Sequence, residues 1–439
     1  MIHLYDKVDS KTIVLNQSFL NAGINSTTVV IEDNGFLPQD VMSPYKFFSK
    51  NTVKEETPCF FNEVPIPDFW EIEGSNQSAV IKDKDKIRGK IVYKKNYLNR
   101  VVSSVEWFNE KGNTQFIDYY NQHGFRYAQL IMDDYQNRIL KRYFDQHNYE
   151  FLVENYITKD LILKWENKDI FFDNRQSFLA FYFEKADLSI NEIILNSLGI
   201  SFLFLYQQRH LNSKCRIFWQ EKIKNDLPEN MKSALKNIEN LKILIPDKEE
   251  YQRIINLVEE SNHHKVECIG YVYEFLKKNQ FRNEALILTN SDDIPYIKQI
   301  AEENQNVNFH IASRTEMSSK LLALNKVKNI NLYPKSSEKN VLILCQTCDM
   351  YLDINKGKEI FEGVKLAFMH QMLLFGYEET MHNQQFINRN YIFKAIHYKE
   401  LSDLLKEISM HQTLFSTKLN EQLQYANSIS KTQFQNKVE

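Results

Sequence analysis

The chain has 439 residues, 43% of them hydrophobic and 25% charged, with a net charge of −3. That balance excludes a disordered polymer and leaves no basic excess to make nucleic acid the main partner. The start, Met1-Ile-His-Leu-Tyr-Asp-Lys, lacks the apolar core of a signal peptide, and no run reaches the roughly 18 apolar residues of a membrane span. Five scattered cysteines suit a reducing compartment, so a cytoplasmic location is expected, with peripheral contact at the inner membrane face left open.

In chain order, Lys7 to Ala22 reads as a short amphipathic helix and Thr27 to Ile31 as a strand. Ser43-Pro-Tyr-Lys-Phe-Phe48 and Val64-Pro-Ile-Pro67 read as irregular, because proline argues against central strands. From Gly89 to Phe172 the chain alternates runs of β-formers with polar turns, such as Asn109-Glu-Lys-Gly-Asn113 and Asn121-Gln-His-Gly124. Connections that short join antiparallel neighbours, so this stretch is an antiparallel meander. The period then changes. Ser177 to Ala186 looks helical, Ser201 to Tyr206 reads as an apolar strand, and Arg216 to Trp219 as another. Asn230 to Ile238 reads as a helix and Leu241 to Ile245 as a strand.

A second series begins near Tyr251. Its strands end at Thr289-Asn-Ser-Asp292, Ala312-Ser-Arg-Thr315, Pro334 and Asn355-Lys-Gly357, and the tail from Leu401 to Leu423 has helical spacing. Short apolar strands alternating with helices indicate parallel β/α units. The fold class expected is therefore α/β, a GT-B-like pair of Rossmann-like domains with an added antiparallel β-sheet. The boundaries read 1–24 and 173–250 for the first Rossmann-like domain, 25–172 for the antiparallel domain, and 251–439 for the second Rossmann-like domain.

Ligands of open α/β sheets sit beyond the carboxyl ends of strands. Glycine, which lets backbone approach phosphates, is scarce: 11 residues, where average usage of roughly 7% would give about 30. That scarcity argues against a working nucleotide site. P-loop, GxSxG, HExxH and GxGxxG motifs are absent from the sequence. Cys345-Gln-Thr-Cys348 lacks a second close pair, and buried thiols are expected there, with no metal or cofactor. Asp292, Asp293 and Asp353 lie at or near strand ends, where a carboxylate could act, and capping of the following helices is the expected role.

At Cys348-Asp-Met-Tyr-Leu-Asp-Ile-Asn-Lys-Gly-Lys-Glu359, together with Gly35-Phe-Leu-Pro38, Ser43-Pro-Tyr45 and Thr289-Asn-Ser-Asp292, the chain resembles a known family. These are the stabilising, non-catalytic subunits of the two-subunit O-GlcNAc transferase of the accessory Sec system, which glycosylates serine-rich repeat adhesins. The resemblance implies that a catalytic partner subunit transfers GlcNAc from UDP-GlcNAc to Ser or Thr, while this chain stabilises the partner and binds the acceptor. Retaining GT-B enzymes commonly carry two glutamates eight positions apart. Lining up Leu366-Ala-Phe-Met-His-Gln-Met-Leu-Leu374 with that helix puts Lys358 and Leu366 at the two places. A leucine cannot accept a sugar hydroxyl, so no catalytic residue is expected. Thr289, Asn290, Ser291, Asp292, Asn355, Gly357 and Glu359 then form either a remnant nucleotide-sugar pocket or only turns and a helix start. For a disordered, uncharged acceptor the candidates are Trp107, Phe116, Tyr119, Tyr120, Phe125, Tyr127 and Tyr143 on the meander, although strand neighbours face opposite sides. The same aromatic sheet equally suits a subunit interface. The open alternatives are an active retaining glycosyltransferase and a pure scaffold that never touches acceptor.

Overall fold

In a computed structural model, described at residues 1–75, 78–95, 97 and 100–438, the first strand is one the sequence reading passed over. Ile2–Tyr5 (β1) is four residues long and wholly buried. Asp9 then starts α1 (Ser10–Asn21) by accepting from the Thr12 amide at 2.9 Å, and the chain returns along β2 (Thr27–Val30). Because β2 pairs in parallel with β1, it belongs to the first parallel sheet, not to the antiparallel domain expected from residue 25. The run read as irregular at 43–48 is a helix, α2 (Pro44–Ser49). Ser43 caps it, and Pro44 sits in the first turn, where no amide is needed.

The antiparallel sheet starts earlier than Gly89. Its ten strands run β3 (Glu71–Gly74), β4 (Ser78–Asp83), β5 (Lys86–Tyr93), β6 (Val102–Phe108) and β7 (Thr114–Tyr120), then β8 (Arg126–Met132), β9 (Arg138–Phe144), β10 (Glu150–Asn155), β11 (Leu161–Trp165) and β12 (Lys168–Phe172). They pair strictly in chain order. A twelve-residue repeat produces the central part. Turns begin at Asn109, Asn121, Asp133 and Asp145, and in each the first side-chain oxygen accepts two downstream amides, as Asp133 does from Tyr135 and Asn137. The fourth residue of each turn, Gly112, Gly124, Gln136 or Asn148, has positive φ. Asx side chains stabilise turns in this way, which is why the alternation breaks at fixed intervals. Pairing also fixes the faces. Tyr119, Lys141, Tyr143 and Glu154 share one face, and Trp107 and Phe116 pair on the other. The first of these faces meets α2 and α3 (Arg175–Lys185), with Tyr45 stacked on Tyr143 at 4.2 Å and Phe48 against Phe178.

After α3 the first parallel sheet resumes with β13 (Glu192–Leu195), α4 (Ile200–Gln207), β14 (Lys214–Phe218), α5 (Glu229–Asn237), β15 (Leu241–Ile245), α6 (Lys248–Ile255) and β16 (Val266–Cys268). The strand expected at 201–206 is helix α4. Phe202, Phe204 and Leu205 are buried, and an apolar run without periodicity fits a buried helix as well as a strand. The order is β16-β15-β14-β13-β1-β2, so the chain reverses its direction of travel across the sheet between β1 and β13.

A second parallel sheet is built from β17 (Glu284–Thr289), α7 (Ile297–Glu303), β18 (Asn308–Ser313), α8 (Ser319–Leu322), β19 (Ile330–Tyr333), α9 (Glu338–Thr347), β20 (Met350–Asp353), α10 (Gly363–Met369), β21 (Leu373–Tyr377) and β22 (Ile392–Phe393). Its order, β19-β18-β17-β20-β21-β22, puts the reversal between β17 and β20. Leu373 and Leu374, aligned with a helix in the sequence, lie in the wholly buried β21. The tail forms α11 (Tyr398–Met410), α12 (Gln412–Tyr425) and α13 (Lys431–Val438), the first two separated at His411. The chain divides into two compact units. One comprises Met1–Asn16, Asn25–Ile245 and Glu249–Cys268; the other comprises Gln17–Ile24, Pro246–Lys248 and Ile269–Glu439. The antiparallel sheet and the first parallel sheet therefore form one unit, and the α/β class with two Rossmann-like sheets and an added antiparallel sheet is the architecture observed.

Candidate functional site

Two of the four strand endings singled out in the second series, those of β17 and β20, meet at that sheet's reversal point. Thr289 ends β17 and is buried; its hydroxyl donates to the Ser291 carbonyl at 2.8 Å. Across the gap, Asp353 ends β20 with no exposed surface. The two loops touch. The Lys356 amide donates to the Asp293 carbonyl at 2.9 Å, and the Lys356 ammonium pairs with the Asp293 carboxylate at 3.0 Å. Gly357 lies so close to the other loop that a Cβ there would stand 2.0 Å from Asn290 Oδ1. Asn290 and Asp292 are exposed, while Asn355 is fully buried, its amide without a hydrogen-bond partner among the described residues.

A residue the sequence reading missed locks this arrangement. His382 Nδ1 lies 2.6 Å from Asp353 Oδ1, and Nε2 lies 2.7 Å from the Gly357 carbonyl. The hydrogen bond to Asp353 outweighs burial and raises the imidazole pKa to about 9, so both ring nitrogens carry protons and both donate. Asp353 is thus an ion-pair partner, not a helix cap. Glu359 accepts from the Val364 amide at 3.0 Å, placing its own carboxylate at the start of α10, and burial raises its pKa. Lys358 is exposed and Leu366 packs half-buried against the core, so neither position offers a carboxylate. What the cluster can do is hold two loops together. No nucleophile–base pair is formed by these residues.

The first sheet's reversal point is open. A crevice of about 780 Å³ lies where β1, β2, β13 and β14 end, and its walls include Asp6, Asn196, Ser197, Trp219 and Asn230. Asp6 occupies the start of α4, accepting from the Ile200 amide at 3.2 Å, the Ser201 amide at 2.7 Å and the Ser197 hydroxyl at 2.5 Å. Asn196 accepts from the Asp6 amide at 3.1 Å and donates to the Thr12 hydroxyl at 2.9 Å. No local motif marks this crevice, since its walls come from strand ends far apart in the chain.

The aromatic candidates of the antiparallel sheet divide. Tyr120, Tyr127 and Tyr143 are buried and belong to the packing, not to an open platform. Tyr127 and Tyr143 do line a cavity of about 140 Å³ together with Asp33 and Lys46. Tyr119 is half-buried on the inner face, with the Lys141 ammonium 4.9 Å from its ring and 4.9 Å from that of Tyr143; burial lowers that lysine to about 8. Trp107 and Phe116 are half-exposed and stack at 6.0 Å, the indole donating to buried Asp118 at 2.9 Å. Phe125 stacks on His123. Cys345 and Cys348 are free and wholly buried, and burial pushes both thiols up, so they are packing groups.

Family models match the chain in sequence: the GtfB N-terminal domain over 2–48, the GtfB middle domain over 70–173, the GtfB third domain over 175–257 and the GftB/GlyA-F C-terminal domain over 285–422. The UDP-N-acetylglucosamine–peptide N-acetylglucosaminyltransferase stabilizing protein GtfB of Streptococcus agalactiae is 36% identical over 93% of this chain and 93% of its own length. The chain belongs to the GtfB family. The Streptococcus gordonii GtfB protein of the same name is 34% identical over 99% of this chain and 97% of its own. A chain in the crystal structure of a GtfA/B complex bound to UDP and GlcNAc superposes with a TM-score of 0.89 at 34% identity, covering 99% of this chain and 98% of that one. The family's middle-domain model coincides with β3–β12, so the antiparallel sheet is a shared GtfB element.

Proposed function

We propose that this chain is the stabilising subunit of a peptide O-GlcNAc transferase complex, holding a catalytic partner and contributing acceptor contact without transferring sugar itself. The observation that carries the reading is the second sheet's reversal point. A nucleotide diphosphate would need the helix start that Glu359 occupies and the space that Asn290, Gly357 and His382 share. Whole-length likeness to GtfB stabilizing proteins supports it.

The antiparallel sheet is the surface we assign to the catalytic partner. Its half-exposed Trp107–Phe116 pair and the exposed Tyr135 and Phe171 give it the aromatic content of an interface. The acceptor reading extends to serine-rich repeat adhesins of the accessory Sec system and to a cytoplasmic complex at the membrane face; five free cysteines fit a reducing compartment. Among the described residues no helix is long and apolar enough to cross a membrane. Co-expression tests the stabilising role: the partner's soluble yield and thermal midpoint rise when this chain is present. Equal yield and midpoint without it would refute that role.

A further inference from the structure

The first parallel sheet has a second opening, beyond the amino ends of β14 and β15. There α4 ends at Gln207, one tight turn (Arg209–Leu211) follows, and Asn212, at φ 50°, leads the chain into β14. Asparagine tolerates that left-handed backbone. Ser213 and Cys215, two residues apart, then point to the same side, and α5 ends beside them at Asn237. Between the two helix ends lies a cavity of about 180 Å³. Its floor is Ser213, Cys215, Leu205 and Ile238, each at least nine-tenths buried.

One atom of that floor stands alone. Ser213 Oγ is buried and has no hydrogen-bond partner among the described residues. Buried hydroxyls are paired as a rule, so an orphan in the wall of a cavity marks a partner supplied from outside the chain. The rest of the floor is apolar: two aliphatic side chains and the Cys215 thiol, which burial keeps protonated. The cavity favours neither sign of charge. Carbonyls at a helix end attract cations, but here the chain's own cations take them. Arg209 donates to the Tyr206 carbonyl at 2.9 Å, and Lys265 to those of Leu235 and Ile238 at 2.7 and 3.0 Å. At the mouth, the exposed Arg209 and Glu239 are opposite in sign. An ion reaching the floor would lose its hydration and find no buried counter-charge there. A neutral molecule avoids that loss, and a cavity of about 150 Å³ is enough for benzene.

We infer that this cavity is a binding site for a small uncharged molecule of one-ring size. Its apolar body lies against Leu205, Ile238 and Cys215, and a hydroxyl or carbonyl of the ligand pairs with Ser213. The site is separate from the crevice at the carboxyl ends of the same strands and from the sheet assigned to the catalytic partner, and it does not depend on the stabilising role.

NMR titration of the full chain with phenol, benzene and benzoate tests the assignment. Phenol binds about fivefold tighter than benzene, the increment of one hydrogen bond, and about tenfold or more tighter than benzoate. Ser213→Ala brings phenol and benzene within about twofold of each other and leaves benzene binding in place. Asn237→Trp, at an exposed position on the mouth, obstructs entry and abolishes binding of both, and it decides the matter if Ser213→Ala fails to fold. No binding of phenol to the unaltered chain overturns the inference and leaves Ser213 to water alone. A phenol preference that survives Ser213→Ala, or phenol binding that survives Asn237→Trp, overturns the placement. Benzoate binding tighter than phenol overturns the uncharged class.

Discussion

Two six-stranded parallel sheets in this chain each reverse once, in the orders 2-1-3-4-5-6 and 3-2-1-4-5-6, and have opposite reversal points. Each reverses between its first strand in sequence and a later strand on that strand's other side, β1 with β13 and β17 with β20. At the first, strand ends diverge around a crevice of about 780 Å³. At the second, the loops after β17 and β20 meet, and His382 ties Asp353 to the Gly357 carbonyl. In both, a carboxylate of the chain itself, Asp6 or Glu359, sits at a helix start. The topology therefore prescribes where a ligand could go, and the side chains decide whether anything is admitted.

The largest expected effect lies at the closed point. Asp353→Ala leaves the His382 imidazolium without its buried counterion and costs about 3–5 kcal/mol, concentrated in the second unit. Denaturant unfolding with hydrogen exchange on β17 and β20 checks it; a cost within about 0.5 kcal/mol would mean that the ion pair closes nothing. The pair also sets a pH dependence. With the folded-state imidazole raised from 6.5 to about 9, its contribution is complete below about pH 6.5 and is lost as pH rises through about 9. His382→Gln removes that window from a stability–pH profile.

Two glycines sharpen the contrast. A Cβ at Gly199 would lie 2.2 Å from Asp6 Oδ2, an atom that cannot yield because Asp6 holds three donors. Gly199→Ala therefore costs about 1–3 kcal/mol. Glu359→Ala, which removes the acceptor of the Val364 amide, costs about 1 kcal/mol. Gly357→Ala is the mildest, about 0.5 kcal/mol, since the nearest atom ends the exposed Asn290 side chain, which can swing away, and Ser291 Cβ at 3.1 Å need give only a few tenths of an ångström. Thermal midpoints of the three variants should fall in that order, and Gly357→Ala as severe as Gly199→Ala would contradict it.

How much of this was legible in the sequence follows from how local each signal is. The antiparallel sheet was readable because its turns carry their own chemistry at Asn109, Asn121, Asp133 and Asp145. The second sheet's strands were readable from short apolar runs, and their endings pointed to the loops that do meet. β1 was missed because a four-residue run, Ile2-His-Leu-Tyr5, at a chain start has no flanking pattern. The α4 run misled because its residues are apolar all round, the exposed Leu203 included, which erases periodicity, and α2 because proline in a first helical turn looks like a break. Pairings such as His382 with Asp353, or the convergence of Asp6, Asn196 and Trp219 on one crevice, are tertiary facts with no local sequence mark. Burial of Tyr127 and Tyr143 depended likewise on which face of the sheet met α2 and α3, and that of Tyr120 on the cluster it forms with Cys59, Val64 and Val105.

The most direct test of the central claim is transfer of labelled GlcNAc from UDP-GlcNAc to a serine-rich peptide by this protein alone, by the catalytic partner alone, and by the two together. The closed second sheet predicts no label from this protein alone, and label from the pair above the partner's own. Label incorporated by this protein alone would show that the second sheet admits and uses the donor, and would contradict the account.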